Sequence, residues 1–264
     1  MTQGRPEPGS SRHADLTLEQ ARALLQEREH ELAALRVAQE AFIGTVAHDL
    51  RAPLRHITSY GALVRELLQE GAGLGAEAQQ EALDFVGTMA HSARRMGHML
   101  DGLLALSRIA RAPLQPQAVA IGELVAQVQG ELAGGAADRM VDWQCAPDLP
   151  SVQGDAALLR QLLAELLGNA LKFTRGCAPA RIAVTGERCA GGVLLRVQDN
   201  GVGFDPARAA GLFGVFQRLH REAEFEGVGA GLAAVHAIAQ RHGGSASATA
   251  QPGTGCTVTV QLPG

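Results

Sequence analysis

The sequence predicts an α+β protein: an N-terminal helical hairpin that pairs with a second copy as a four-helix bundle, then a C-terminal α/β sandwich. Three observations predict it. Apolar residues recur at steps of three and four through residues 18–111, with one glycine-rich interruption at 69–79. The segment APLQPQ (112–117) then stops the pattern. Beyond it, helical and alternating stretches intermix without a βαβ repeat.

Composition narrows the class. Hydrophobic residues make up 46% of 264, but aromatics only 3%, so Leu, Ala, Val and Ile must build the core. A net charge of −4 gives no basic face for nucleic acid. Cys145, Cys177, Cys189 and Cys256 form no CxxC pair, which argues against a zinc site or a disulfide framework. No apolar run approaches the roughly 18 residues of a membrane span, and no apolar leader opens the chain. The expectation is a cytoplasmic protein with no membrane span.

In chain order, residues 1–14 read as a disordered tail of Gly, Pro, Ser and charge. Residues 15–40 read as a coiled-coil signalling helix capped by Asp15 or Thr17. Its seam is Leu18, Ala21, Leu25, Arg28, Leu32, Leu35, Gln39, Phe42 and Val46, seven of the nine apolar. The seam meets FIGTVAHDLRAPLRHITSYGALVRELL with no break. At about 100° per residue, Ala47, Leu50, Leu54, Ile57, Gly61, Val64 and Leu68 fall within about 60° of Ile43, and His48 falls about 140° away. His48 therefore points into water, beside Asp49. Pro53 removes the helical donor to the Asp49 carbonyl, which places a bend next to the histidine. After the turn at 69–79, a second helix spans about 80–111. Two helices enclose no core alone, so a homodimer completes the bundle.

In the second half, 124–132 reads as helix and Val141, Trp143 and Cys145 alternate as a strand. Asp155 caps a Leu-rich helix that runs to about Thr174. Residues 181–187 and 193–198 read as strands, about 229–241 as helix, and 245–250 with 256–262 as a hairpin around QPGTG.

Three clusters there suit a nucleotide. In ELLGNALKFT, Glu165 and Asn169 share a helix face, with Lys172 one turn on: an oxygen ligand for Mg²⁺ beside a cation for phosphate. In DNGVGF, Asp199 ends a strand and can accept from an exocyclic amine, while Gly201 and Gly203 let backbone approach a flat base. In GVGAGL, Gly227, Gly229 and Gly231 open a helix whose N–H groups can meet phosphate. An amphipathic helix, a capped glycine turn and a plain glycine loop are the bland readings of each cluster taken alone.

The order HDLRAPL, ELLGNALKFT, DNGVGF, GVGAGL resembles the sensor histidine kinases of two-component systems, over about residues 41–264. FGVFQRLH (213–220) and RHGG (241–244) look most like the phytochrome-type histidine kinases. The resemblance implies a dimerisation and histidine-phosphotransfer domain at 41–111. It implies an ATP-binding domain of the gyrase/Hsp90/histidine kinase/MutL type at 117–264. It implies His48 as phospho-acceptor with Asp49 assisting, and Asn169 on Mg²⁺ with Glu165 beside it. Lys172 would contact phosphate, Phe173 would belong to the nucleotide-binding set, and Asp199 would bind the adenine amine, with Gly201 and Gly203 shaping the base pocket. Phe213, Phe216 and Arg218 would belong to the lid, and Gly227, Gly229, Gly231 and Leu232 to its hinge. It further implies ATP as donor, a response-regulator receiver domain as the next acceptor, and input from an upstream sensor domain or protein. Two departures stand out: Glu165 occupies a place where the family often has a second Asn, and Ala52 replaces a water-holding Thr or Asn. A nucleotide-binding scaffold and an ATPase clamp are the alternatives that a labelling experiment separates.

Overall fold

The computed structural model describes residues 18–69, 75–136, 139–222 and 224–263. The tail expected at 1–14, the caps at Asp15 and Thr17, and residues 70–74 of the turn lie outside the described residues. Two compact units are distinguished, one ending at Thr45 and one running Val46–Gly264.

Helix α1 (Leu18–Gln69) contains Pro53 and spans the histidine stretch. In the first unit it carries exposed Leu25, Val37, Phe42 and Ile43. In the second unit α1 is followed by α2 (Ala76–Arg111). α2 stops because Ala112 precedes Pro113 and is forced extended (ψ 134°). Arg108 and Arg111 in its last turn suit the helix dipole. Much of the hairpin's apolar surface stays open, with Leu54, Leu68, Leu83, Leu100 and Leu104 all more than half exposed.

The sandwich follows. β1 (Gln117–Ala120) leads into α3 (Ile121–Leu132) and a short 3₁₀ turn at Ala133–Ala136. β2 (Val141–Cys145), β3 (Ser151–Gly154) and α4 (Ala156–Phe173) come next. Then come β4 (Ala180–Cys189), β5 (Gly192–Asp199), a 3₁₀ turn at Pro206–Gly211, and α5 (Gly231–Arg241). β6 (Ser245–Gln251) and β7 (Gly255–Leu262) close the fold. The five-stranded sheet has the order β2-β4-β5-β7-β6, parallel only between β2 and β4. β1 and β3 form a separate antiparallel pair, at residues to which the sequence pattern assigns no strand.

Helix α4 holds the layers together. Asp155 Oδ1 accepts from Ala157 N at 3.0 Å and Leu158 N at 3.1 Å, as expected of a cap. Its leucines at 159, 162, 163, 166 and 167 are fully buried between α3, α5 and the sheet. The alternating residues Ile182 and Val184 of β4, and Val193, Leu195 and Val197 of β5, meet them. Each such side chain contributes about 1.5–3 kcal/mol on leaving water.

The end of α2 joins this core. Ile109 is buried within it, and the Arg241 guanidinium donates to the carbonyls of Ile109 and Ala112. Gln115 N–H donates to Asp155 Oδ2 at 3.1 Å, and Asp155 N–H to His242 Nε2 at 3.0 Å.

Candidate active site

His48 stands where helical phasing placed it. Its side chain is 80% exposed, and Nδ1 lies 3.0 Å from Asp49 Oδ1. With Nδ1–H donating to the carboxylate, Nε2 is the nitrogen left for an electrophile. Pro53 is buried, and Ala52 is half-buried one turn beyond His48.

A cavity of about 340 Å³ lies between α4, the ends of β5 and β7, and the segment leading into α5. Among the residues named from sequence, Glu165, Asn169, Lys172, Phe173, Asp199, Gly203, Arg218, Gly227, Gly229, Gly231 and Leu232 line it. His48 and Asp49 do not. Gly201 lies behind the wall: its N–H donates to Asp199 Oδ1 at 2.8 Å, so it orients the carboxylate rather than facing the cavity. Phe216 is buried with φ +62°, and Phe213 stacks near His236, 5.7 Å between centroids; both sit outside the cavity.

One end of the cavity is built for a flat polar group. Asp199 terminates β5 and is buried, which raises its pKa, while the backbone N–H groups of Gly201 and Cys256 oppose the shift. Cys256 shares this wall, and burial followed by the Asp199 charge pushes its thiol up to about 12. Gly203 has φ +60°, and a Cβ there would stand 2.1 Å from the Gln251 carbonyl oxygen. Only glycine lets the two strand-end loops approach this closely.

The other end is built for charge. Burial raises the Glu165 carboxyl against the pull of Lys172. Burial lowers the Lys172 ammonium, with Glu226 foremost in opposing it. The Lys172 Nζ rests 4.4 Å from the Phe173 ring centroid. Gly231 brings the start of α5 so close to α4 that a Cβ would lie 2.4 Å from Glu165 Oε2. Helix α5 starts at Gly231, not Gly229, because Gly227 and Gly229 take φ +115° and +81°.

Residues 216–222 and 224–230 cover this end. Phe216 N–H donates to Gly229 O at 3.0 Å, and Arg218 Nη2 to Phe225 O at 2.7 Å. Phe173, His220 and Phe225 pack as three rings with centroids 5.0–5.4 Å apart. Arg175 grips Glu226 in a bidentate pair that holds the Glu226 carboxyl at about 2. His220, Phe225, Glu226 and Cys256 are wall residues that the sequence reading did not name. The stretch FGVFQRLH carries no local pattern that shows which of its side chains turn inward.

Among the described residues, no group of three or more His, Cys, Asp or Glu could cage a metal. Asn169 and Glu165 offer oxygens on one helix face, which suits Mg²⁺ sharing its shell with phosphate oxygens and water. Among the described residues, no helix is long and apolar enough to cross a membrane.

Two family models match the chain. Residues 38–112 match the His Kinase A (phospho-acceptor) domain. Residues 154–264 match the histidine kinase-, DNA gyrase B-, and HSP90-like ATPase family. The chain is 31% identical over 255 residues to the methanogenesis regulatory histidine kinase FilI of Methanothrix harundinacea, covering 96% of this chain and 28% of that protein. It is 29% identical over 249 residues to cyanobacterial phytochrome A of Nostoc sp., covering 94% of this chain and 31% of that protein. The chain thus spans under a third of these relatives' length. In fold it is similar to the histidine kinase ThkA, solved in complex with the response regulator protein TrrA. That likeness has a TM-score of 0.58 and 16% identity, over 90% of this chain and 64% of that one.

Proposed function

The chain carries the transmitter module of a sensor histidine kinase, and from that premise we propose that it phosphorylates its own His48 with ATP and passes the phosphoryl group to an aspartate of a response-regulator receiver domain. The observation that carries this is the His48–Asp49 pair: an imidazole open to solvent, with Nδ1 engaged at 3.0 Å and Nε2 free to attack.

A neutral imidazole is a competent nucleophile. The Nε2 lone pair forms the N–P bond to the γ-phosphorus as the bond from phosphorus to the β,γ-bridging oxygen breaks. That electron pair leaves with ADP. The proton stays on Nδ1, and Asp49 stabilises the imidazolium that results. At the receiver the N–P bond breaks, a carboxylate oxygen takes the phosphoryl group, and neutral imidazole returns.

Positioning and charge neutralisation dominate such a transfer. Asp199 accepts from the adenine amine, and Lys172 and Arg218 stand at the phosphate end. Asn169, with Glu165 beside it, would hold Mg²⁺, which when bound would neutralise phosphate charge. The open apolar face of the hairpin is covered by a second copy, giving a homodimeric four-helix bundle. Input comes from a sensor domain or partner through the N-terminal part of α1.

The test is incubation with γ-labelled ATP and Mg²⁺. Acid-labile, alkali-stable label is expected on the protein and lost in His48→Gln, with nucleotide binding retained. Label that survives in His48→Gln refutes the assignment. Nucleotide binding without label supports a scaffold, and steady phosphate release without label supports a clamp.

A further inference from the structure

The covering residues 216–222 and 224–230 are fastened to α2 as well as to α4. Glu222 is the fastening. Its Oε2 lies 2.9 Å from Arg95 Nη1 and its Oε1 3.2 Å from His91 Nε2. Glu222 Oε2 also lies 3.5 Å from Arg218 Nη1, and Arg218 lines the cavity. Seven residues past Arg95, Gly102 meets Ala230: a Cβ on Gly102 would lie 2.8 Å from the Ala230 Cβ and 3.9 Å from the Phe216 ring. At about 100° per residue, positions 91, 95, 102 and 109 fall within about 40° of one another. One face of α2 therefore holds the whole contact, from Glu222 down to the Ile109 side chain in the sandwich core.

That face has a definite height along the hairpin. Ala47, Leu50, Arg51 and Leu54 of α1 line a groove with Met96 and Leu100 of α2. The turn of α1 bearing His48 is thus level with Met96–Leu100. Arg95 and Gly102 bracket that stretch, each within about one helical turn of it. Ala230 lies between Gly229 and Gly231, at the charged end of the cavity. A two-fold axis along a four-helix bundle keeps both copies of His48 at one height, so the relation holds for an acceptor in either subunit.

We propose that Glu222, Arg95, His91 and the Gly102–Ala230 contact form a positioning clamp that stations the nucleotide cavity at the height of His48, so that donor and acceptor need no movement along the hairpin axis to meet. The clamp rests on the kinase reading above and adds positioning residues to it. Glu222 and Gly102 touch neither the acceptor nor the cavity and act through Arg218 and Ala230. The ion pairs fix the angular setting of the lid, and the absence of a side chain at Gly102 fixes its distance from α2.

Three variants of the full chain test this: Glu222→Gln, Gly102→Ala, and Gly102→Ala with Ala230→Gly. Two quantities are read for each: the affinity for ATP by fluorescence competition, and the single-turnover rate of His48 labelling at saturating ATP. Gly102→Ala is expected to slow labelling by about tenfold or more, since a shift near 1 Å from outside the chemistry can reach about 100-fold. ATP affinity stays at the parental level. Ala230→Gly in the same chain makes room for the added methyl and restores the rate, which a general loss of stability would not allow. Glu222→Gln is expected to slow labelling in the same way without altering the contact at Gly102. Labelling that is unchanged or faster in both single variants overturns the clamp, as does a rate loss matched by an equal loss of ATP affinity. If the unaltered protein binds ATP but takes no label, the kinase reading falls first and the clamp with it.

Discussion

Replacing Asp199 by Asn should weaken ATP binding while making the folded protein more heat-resistant. The carboxylate is 8% exposed, accepts from Gly201 N–H at 2.8 Å, and accepts from the Cys256 backbone. Burial outweighs these donors and holds its pKa above the ordinary value. A group whose folded pKa is raised contributes stability that is complete below the unfolded pKa and is lost as pH rises through the folded pKa. Above that raised pKa the ionised side chain opposes folding, and the neutral amide does not. Asparagine keeps an oxygen for Gly201 but no longer offers a charged acceptor to the adenine amine. Hydrogen bonds to charged groups are worth about 1.5–3 kcal/mol, so ATP affinity should fall roughly 10- to 100-fold. Each kcal/mol of stability recovered raises Tm by about 2–4 °C for a domain of roughly 150–250 residues. Calorimetric titration with ATP and thermal melts from about pH 5 to about pH 9, on one preparation, measure both effects. The Tm advantage of the variant should shrink as pH falls and the carboxylate of the parent protonates. Unchanged ATP affinity, or a Tm difference independent of pH, would refute the reasoning.

Three further outcomes are expected. Gly203→Ala should lower the urea midpoint by the equivalent of about 1–3 kcal/mol, because its Cβ would lie 2.1 Å from Gln251 O at φ +60°; an unmoved midpoint counts against the close approach. Glu165→Gln should weaken the Mg²⁺ dependence of labelling and flatten the rise in rate with pH that follows ionisation of this burial-raised carboxyl. Identical Mg²⁺ titrations and identical ATP hydrolysis in parent and variant would remove Glu165 from the site. With Ala52 one turn after His48, a phosphorylated receiver should lose its phosphate no faster with this protein than without it, as followed by phosphate-affinity gels; rapid loss that depends on the surface near Ala52 would contradict this.

What the sequence made legible was local and periodic. The outward phase of His48 follows from helical spacing, and the start of α4 follows from Asp155 before a leucine run. The β6–β7 hairpin follows from QPGTG between alternating residues. The illegible parts depend on partners far along the chain. The strands QAVA and SVQG are four residues each, too short to show a period, and exist because they pair across about thirty residues. The left-handed Phe216 is held by the Gly229 carbonyl and close packing, which no propensity anticipates. Gly201 reads as base-pocket backbone, yet its N–H serves Asp199 from behind. Glu222 meets His91 and Arg95 across some 130 positions, and nothing in HREAEFEG points to α2.

The lacing between α2 and the sandwich bears on timing. The five residues from Ala112 to Pro116 are not a loose string. Ala112 O is held by Arg241, Gln115 N–H by Asp155, and Asp155 in turn by His242. A slack tether would let the ATP-bearing half wander through a sphere of orientations within nanoseconds to microseconds. This one holds the sandwich in one setting through hydrogen bonds that must break before it turns. Turning against α2 would require these bonds to break, which would place it among collective hinge motions of roughly microseconds to milliseconds. Under the proposed function, input through α1 would govern how often those bonds open, not how far the domain drifts.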